Sequence, residues 1–144
     1  MHDRTNPEAT PVTDAAPSAS ETTTVLGRRA EDLALRHLER AGLELLRRNY
    51  RCRAGEIDLV MFDRESRVLV IVEVRSRSQR EFGSAAATVS FRKQRRIVLA
   101  ARHLLLTQAP LRRLRARFDV VAIDAPAAAG ETAAITWIRG AFAE

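Results

Sequence analysis

The stretch Val68–Arg75, VLVIVEVR, constrains the fold more than any other part of the chain. Five apolar residues of high strand propensity run into a glutamate, one more valine and an arginine. Such a run is typical of a strand that is buried on both faces. An unpaired carboxylate is very unfavourable there, so Glu73 needs a cation or hydrogen-bond donors beside it. Glu73 is therefore the first candidate for a functional side chain.

The pattern around this strand predicts the element order helix, strands, helix, strand. Apolar residues recur every three or four positions in the predicted helices, Gly27–Gly42 and Ser90 to about Leu106. Period-two alternation predicts strands at Leu43–Tyr50, Glu56–Phe62, Val68–Arg77 and Phe118–Ile123, with an edge strand at Ile135–Ile138. This order indicates an α/β domain with a central mixed β-sheet flanked by helices.

Composition indicates one globular domain that follows a tail. Residues 1–24 are rich in Pro, Thr, Ala and Ser, so we predict a disordered tail there and a single domain over residues 25–144. No apolar window is long enough to cross a membrane, and the N-terminus lacks the apolar core of a secretory signal. The single cysteine, Cys52, excludes an internal disulfide. These features predict a cytoplasmic protein with no membrane partner.

Charge is distributed unevenly along the chain. The formal net charge is +6, and the segment from Arg75 to Arg117 carries twelve basic residues against one acid, Glu81. This asymmetry is typical of a protein that binds a polyanion, so we predict nucleic acid as the partner. The alternative is a solvated surface, since all but one of the twenty-four basic residues are arginine. The predicted nucleic-acid contacts are Arg77, Arg92, Lys93 and Arg96.

The strand Glu56–Phe62 supplies a second carboxylate, Asp58. Side chains alternate across a strand, so Glu73 and Arg75 share one face of their strand, and Asp58 shares a face of its own strand with Val60. The two strands read as a hairpin joined by a polar turn. A connecting loop with an even number of residues places Asp58 directly opposite Glu73, whereas an odd number separates them onto different faces.

Spacing alone leaves two interpretations of these carboxylates open. Two acids that lie close together in a partly dry place repel each other, so one takes up a proton unless a cation lies nearby. If the cation is divalent, Asp58 and Glu73 are metal ligands and the site has the parts of a metal-dependent nuclease. If the cation is Arg75, the residues form a structural ion pair at the end of the sheet.

Several ordered motifs resemble a known family. The motifs are Gly55–Val60 (GEIDLV), Val70–Arg77 (VIVEVRSR), the segment from Phe82 and Gly83 through Val89 to Lys93 and Arg96, and Arg117–Ile123 (RFDVVAI). With them the chain, from about Gly27 to Phe142, resembles the YraN-like family of uncharacterised bacterial proteins. That family is similar to archaeal Holliday-junction resolvases and to the PD-(D/E)xK nuclease superfamily. The resemblance implies a restriction-endonuclease-like fold with a central mixed β-sheet flanked by helices.

The resemblance also implies roles for single residues. Asp58 and Glu73 would hold Mg2+ or Mn2+, and Glu31 would be the acid that related resolvases bring from their first helix. Arg75 stands where the motif has lysine. Because arginine keeps its proton, Arg75 can neutralise a phosphate but cannot act as a general base. For Lys93 we expect an exposed helix residue that contacts phosphate, with the role of the motif lysine as the alternative.

Two functions are consistent with these residues. The first is a metal-dependent endonuclease that hydrolyses phosphodiester bonds in DNA, including branched DNA, with Asp58, Glu73, Arg75 and Glu31 as catalytic residues. Related resolvases act as dimers, so a homodimer is expected with this function. The second is a nucleic-acid-binding protein without catalytic activity on the same scaffold, which Arg75 in the place of lysine favours. A protein-interaction module is a third and weaker interpretation.

Overall fold

Two helices and five strands form the described part of the chain. The computed structural model describes residues 19–77, 89–126 and 128–144. The helices are α1 (Ala19–Arg40) and α2 (Phe91–Thr107), and the strands are β1 (Leu43–Cys52), β2 (Gly55–Asp63), β3 (Val68–Arg77), β4 (Arg115–Asp124) and β5 (Ala134–Phe142), with a short 3-10 helix at Ala109–Leu111. The predicted order of helix, strands, helix, strand and the α/β class are confirmed.

The five strands form one mixed sheet in the order β1-β2-β3-β4-β5. Strands β3 and β4 are parallel, whereas the other neighbouring pairs are antiparallel. Helix α2 lies between β3 and β4 in the chain and packs on one face of the sheet, and α1 packs on the other face. This is the architecture expected of a restriction-endonuclease-like fold.

Burial on both faces of β3 explains its continuous apolar sequence. Leu69 and Ile71 belong to the core beneath α2, while Val70 and Val72 belong to the core beneath α1. All four side chains are fully buried. The alternation of side chains across the strand therefore supplies both cores from one segment.

The register between β2 and β3 answers the parity question. The two strands are joined by residues 64–67, an even number, and their ladder runs from the pair Asp63–Val68 to the pair Leu59–Val72. Continued by one residue, the same register places Asp58 opposite Glu73. The prediction that an even loop brings the two carboxylates together is confirmed.

Helix α1 begins earlier than the sequence pattern predicts, at Ala19 instead of Gly27. Residues 19–24, which composition assigned to the tail, are thus helical, whereas residues 1–18 and the predicted loop 78–88 lie outside the described residues. The early turns have no apolar stripe for a periodicity argument to detect. They extend a helix that is already packed further along, and extension costs much less than nucleation.

The structure also bears on what composition indicated about the cysteine and about membrane-spanning segments. Cys52 is a free, partly buried cysteine at the end of β1. None of the helices in residues 19–77, 89–126 and 128–144 has the length and apolarity to span a membrane.

Candidate active site

Asp58 lies where β2 and β3 separate. The ladder between the two strands ends at the pair Leu59–Val72, one residue before Asp58 and Glu73. Beyond that pair, the Val74 backbone N–H donates a hydrogen bond to Asp58 Oδ2 at 2.8 Å. The Asp58 side chain thus takes the place of a backbone acceptor. This contact holds its carboxylate between the two strands.

Both carboxylates line a cavity of about 600 Å³ between the β1–β2 hairpin and the first turns of α2. The lining residues are Arg51, Cys52, Gly55, Glu56, Asp58, Glu73, Ser90, Arg92, Lys93, Arg96 and Ile97. Acids therefore lie at the sheet side of this cavity, and most of the basic side chains come from α2. We call this space the α2 cavity.

Lys93 is the cation that pairs with Glu73. Its Nζ lies 2.5 Å from Glu73 Oε1, and the Glu73 side chain is only 3% exposed whereas that of Lys93 is 44% exposed. The first turn of α2 is fixed by its N-cap, because Ser90 Oγ accepts a hydrogen bond from the Lys93 backbone N–H. Lys93 was expected to be an exposed helix residue that contacts phosphate; its side chain is partly exposed, but it also has a partner within the protein. Its ammonium reaches a buried carboxylate.

Arg75 does not form the ion pair that spacing suggested for it. The guanidinium Nε of Arg75 is buried and has no hydrogen-bond partner among the described residues. Arg75 is partly buried and is absent from the lining of the α2 cavity. The structural ion pair of Glu73 therefore exists, but with a lysine from the helix rather than with its neighbour on the strand.

Glu31 approaches the site from α1. Its side chain is 16% exposed, and Arg48 NH2 lies 3.5 Å from Glu31 Oε2. Burial, followed by the negative charge of Asp58, raises the pKa of Glu31, while the Asn49 and Arg48 side chains oppose this shift. Because Glu31 and Asp58 interact electrostatically, the structure brings the third predicted acid close to the first.

The pKa of Asp58 is raised to about 7, chiefly by burial and next by the charge of Glu73. The hydrogen bond from Val74 and the charge of Lys93 act in the opposite direction. Asp58 therefore keeps a proton up to about neutral pH. A divalent cation would remove the repulsion that holds this proton in place.

The donor set fits a hard divalent metal with few protein ligands. No group of three or more His, Cys, Asp or Glu side chains in the described part of the chain could hold a metal ion. Two carboxylates are nevertheless a usual protein contribution to a magnesium site, where water and substrate phosphate oxygens complete the octahedron. The residues Asp58 and Glu73 therefore fit Mg2+ or Mn2+ in a site of this kind.

Three of the four predicted nucleic-acid contacts lie together. Arg92, Lys93 and Arg96 all line the α2 cavity. Arg77 lies elsewhere: its Nε and NH2 atoms donate to Asp124 at 2.7 and 3.0 Å, and its side chain is 11% exposed. The structure therefore does not place Arg77 with the other three residues.

Gly55 is a site residue that the sequence pattern did not single out. A Cβ atom added at Gly55 would lie 2.9 Å from the Arg96 carbonyl oxygen and 3.1 Å from Arg96 Cβ. Only glycine allows the hairpin to approach α2 this closely without displacement. A glycine directly before a strand was the available signal, but it fits an ordinary turn equally well.

Asp119 on β4 was also not singled out, although it lies within one of the family motifs. It is fully buried and accepts hydrogen bonds at 2.9 Å from four donors, which are Arg117 Nε, Arg117 NH2, Trp137 Nε1 and the Gly140 backbone N–H. A carboxylate with this many donors is well compensated for burial. Asp119 therefore joins β4 to β5 and takes no part in the α2 cavity.

The fold and the paired acids together define the class of the protein: an α/β chain with the restriction-endonuclease-like arrangement of sheet and helices. The family model described as Uncharacterised protein family UPF0102 matches residues 30–123, so the chain belongs to this family. The predicted membership of the YraN-like family is thereby confirmed.

Curated relatives cover most of the chain. It is 50% identical to the UPF0102 protein of Dechloromonas aromatica, over 86% of this chain and 93% of that protein. It is 53% identical to a UPF0102 protein of Cupriavidus taiwanensis, over 81% of each chain. It is 43% identical to a UPF0102 protein of Legionella pneumophila, over 81% of this chain and 92% of that protein. The family description specifies no activity, so the function has to be argued from the site.

Proposed function

We propose that this protein is a metal-dependent endonuclease that hydrolyses phosphodiester bonds in DNA at the α2 cavity. The observation that supports the proposal most is the meeting of Asp58, Glu73 and Lys93 in one cavity, although they come from three separate elements. Buried acids with a perturbed pKa in a cleft are typical of catalytic sites. A structural role alone does not require two acids to face the same cavity.

Asp58 and Glu73 would hold the divalent ion, and Glu31 would add negative charge from the α1 side. When bound, such an ion neutralises charge on a phosphodiester and activates a water molecule. For such an ion to bind, the protein has to hold the carboxylates ionised and at fixed positions. The hydrogen bond from Val74 performs this task for Asp58, because it favours the charged form of the carboxylate.

Lys93 suits the role of the motif lysine better than Arg75 does. Its ammonium is already at the acidic pair, and lysine can lose or donate a proton where arginine cannot. In the proposed site, the Lys93 ammonium would be free to contact the phosphate or the attacking water if a divalent ion neutralised Glu73. Arg75, which does not line the α2 cavity, then has no catalytic role.

The basic rim of the α2 cavity supports a polyanionic substrate. Arg92 and Arg96 from α2 and Arg51 from β1 surround the cavity. Their guanidinium groups would contact phosphates on either side of the bond that is cut, which fixes the strand without reading its sequence. DNA as substrate agrees with the net charge of +6 and with a cytoplasmic protein. A homodimer would suit paired cuts in branched DNA.

A second function is favoured by the Lys93–Glu73 ion pair itself. Because Lys93 already neutralises Glu73, a metal ion must compete with it for the carboxylate. If Lys93 remains paired with Glu73 and no metal ion binds, the same cavity binds nucleic acid without cutting it. The two functions share the basic rim and differ in whether Asp58 is needed.

The test is a cleavage assay with duplex, single-stranded and four-way-junction DNA in the presence of Mg2+ or Mn2+. Wild-type protein is expected to cut at least one of these substrates, and Asp58→Ala and Glu73→Ala are expected to abolish cutting but keep DNA binding. Binding should weaken with salt at a log–log slope of about −0.9 per duplex phosphate contacted. Salt-dependent binding by all three proteins without cleavage would favour the second function. Salt-insensitive behaviour would argue against both.

A further inference from the structure

Asn49 has a backbone conformation that its place in a strand does not explain. Its φ is +52°, although it lies inside β1. The other non-glycine residue with positive φ in residues 19–77, 89–126 and 128–144 is Arg67, which lies in the β2–β3 turn. Asparagine adopts this left-handed conformation more readily than most residues. Even so, a strand interior does not call for it.

The irregularity at Asn49 lies directly across from Asp58. On β1 and β2, Arg48 pairs with Leu59 and Tyr50 pairs with Ile57. The position between these two pairs belongs to Asn49 and Asp58, where the ladder has no pair. The one left-handed residue of β1 therefore faces the proposed metal ligand of β2.

Both strands change face at this point. Ile57 and Leu59 are two residues apart and would share a face in a regular strand. Instead Ile57 packs in the core beneath α2, and Leu59 packs in the core beneath α1. Strand β1 does the same, because Arg48 reaches Glu31 of α1 while Tyr50 packs against the core beneath α2.

This change of face frees the Asp58 side chain from the regular pleat. Its carboxylate can then lie between the strands and accept the Val74 N–H. The Asn49 side chain lies close enough to Glu31 to lower the pKa of that carboxyl, and Arg48 NH2 contacts the same carboxylate. Two consecutive residues of a regular strand could not both reach one carboxylate, since their side chains point to opposite faces.

We propose that Asn49 is the positioning residue of the acidic site: its left-handed backbone turns Asp58 out of the pleat, and its side-chain amide holds Glu31 beside Asp58. The structural part of this proposal stands on the geometry of β1 and β2. Its consequence for metal binding rests on the proposed function. Asn49 does not line the α2 cavity, so its effect passes through the two acids.

Hydrogen exchange at the Val74 amide tests the structural part, because that amide donates to Asp58 Oδ2. The variants are Asn49→Ala, which disfavours the left-handed backbone, and Asn49→Gly, which allows it but lacks the amide. Arg47→Ala, an exposed residue of the same strand, is the matched control. The Ile71 amide, inside the β2–β3 ladder, reports global opening.

We expect Asn49→Ala to accelerate exchange at Val74 by roughly tenfold relative to Ile71, and Asn49→Gly to restore most of the protection. Uniform acceleration of both amides, or no acceleration, would overturn the proposal. So would an equal effect of Arg47→Ala. A purely structural role predicts the uniform result and no rescue by glycine.

Calorimetric titration of the same proteins with Mn2+ tests the link to the site. Wild type and Arg47→Ala should bind alike, and both Asn49 variants should bind about tenfold more weakly, which corresponds to about 1.4 kcal/mol. Equal binding by all four proteins would overturn the positioning of the acids. If wild type binds no Mn2+, the proposed function fails, and the Val74 amide still decides the role of Asn49.

Discussion

Two buried carboxylates, Glu73 on β3 and Asp119 on β4, lie on neighbouring strands of one sheet and differ in how their charge is compensated. Asp119 on β4 accepts four hydrogen bonds from side chains and backbone. On β3, Glu73 Oε1 has the Lys93 ammonium beside it but no hydrogen bond of its own among the described residues. Fully compensated burial stabilises a fold, whereas poorly compensated burial costs stability and therefore points to a function.

The Asp119 group shows what a structural carboxylate looks like in this sheet. The β4–β5 register shifts between Phe118 and Val120, and Gly140 in the irregular part of β5 has a φ of +59°. Asp119 accepts the Gly140 N–H and the Trp137 indole N–H at this irregularity. Two of its four donors thus come from β5, the strand that it holds in place, and Asp119 does not line the α2 cavity.

The largest effect is expected for Asp119→Ala. This change removes the acceptor for the Arg117 guanidinium, the Trp137 indole and the Gly140 N–H. Loss of one partner from a buried charged network typically costs about 3 to 5 kcal/mol. Urea denaturation at pH 7.5 measures the free energy of unfolding.

Glu44→Ala is the control for Asp119→Ala, because it breaks the exposed ion pair with Arg64. It should change the stability by less than about 1 kcal/mol. If the two variants lose similar amounts of stability, the buried hydrogen-bond network of Asp119 does not stabilise the fold more than an exposed ion pair does.

The next effect has the opposite sign. Below about pH 7 the folded protein keeps a proton on Asp58 that an unfolded chain releases above about pH 4, because burial and Glu73 raise this pKa. The folded state binds more protons in that window, so the free energy of unfolding falls as the pH rises from about 4 to 7 and then levels off. The free energy of unfolding of Asp58→Asn should not fall in this way. At pH 8 the variant should be more stable than wild type by roughly 2 to 4 kcal/mol.

The measurement for Asp58→Asn is chemical denaturation at several pH values from 4.5 to 8.5 with a chelator present. Asparagine keeps an oxygen that can accept the Val74 N–H, which makes it the closest uncharged replacement. Parallel stability curves for wild type and variant across this range would contradict the raised pKa.

A smaller effect is expected for Gly55→Ala. The new methyl group would meet the Arg96 carbonyl oxygen at 2.9 Å, so the hairpin and α2 must move apart. Overpacking of this kind costs about 1 to 3 kcal/mol, and the movement should also weaken the contact between Lys93 and Glu73. Thermal unfolding measures the first consequence.

Gly27→Ala is the matched control for Gly55→Ala. Gly27 lies in α1 with open space where its Cβ would be, so alanine should be neutral or stabilise by up to about 1 kcal/mol. Equal destabilisation by both alanines would mean that the close approach of Gly55 to α2 is not what requires glycine.

The smallest change in stability is expected for Lys93→Met, within about 1 kcal/mol, because the lysine side chain is 44% exposed and therefore partly solvated. Its effect on chemistry should be large. Cleavage should fall at least about a hundredfold, the usual contribution of a proton-transferring side chain, while Mn2+ binding is kept or strengthened. Arg95→Met, at an exposed position of α2, should change neither. Full activity of Lys93→Met would remove Lys93 from the mechanism.

The sequence predicts the central part of the site because the rules that apply there are local. The apolar run of β3 identified Glu73, and strand parity stated which loop length would bring Asp58 beside it; the structure supplies that even loop, residues 64–67. Strand parity is set by a count of residues, so it requires no knowledge of how helices pack. The α/β order followed from hydrophobic periodicity in the same way.

The rest of the site depends on long-range packing or on exceptions to alternation. Lys93 is twenty residues from Glu73 in the sequence, and only the docking of α2 brings the two side chains together. Sequence periodicity did not identify Asn49, because a left-handed residue inside a strand interrupts the alternation on which this method depends. Asp119 was interpreted only as part of a strand, because its contacts with Trp137 and Gly140 depend on the irregular pairing of β4 with β5, which no sequence period reveals.

The most direct test of the central claim is a calorimetric titration with Mn2+ at pH 7.5. The proteins are wild type, Asp58→Ala, Glu73→Ala and Glu56→Ala, where Glu56 is an exposed acid of the same cavity that pairs with Arg51. We expect about one bound ion per chain for wild type and Glu56→Ala, and none for Asp58→Ala and Glu73→Ala. Absence of binding by wild type, with DNA present as well as without it, would contradict a metal site at Asp58 and Glu73.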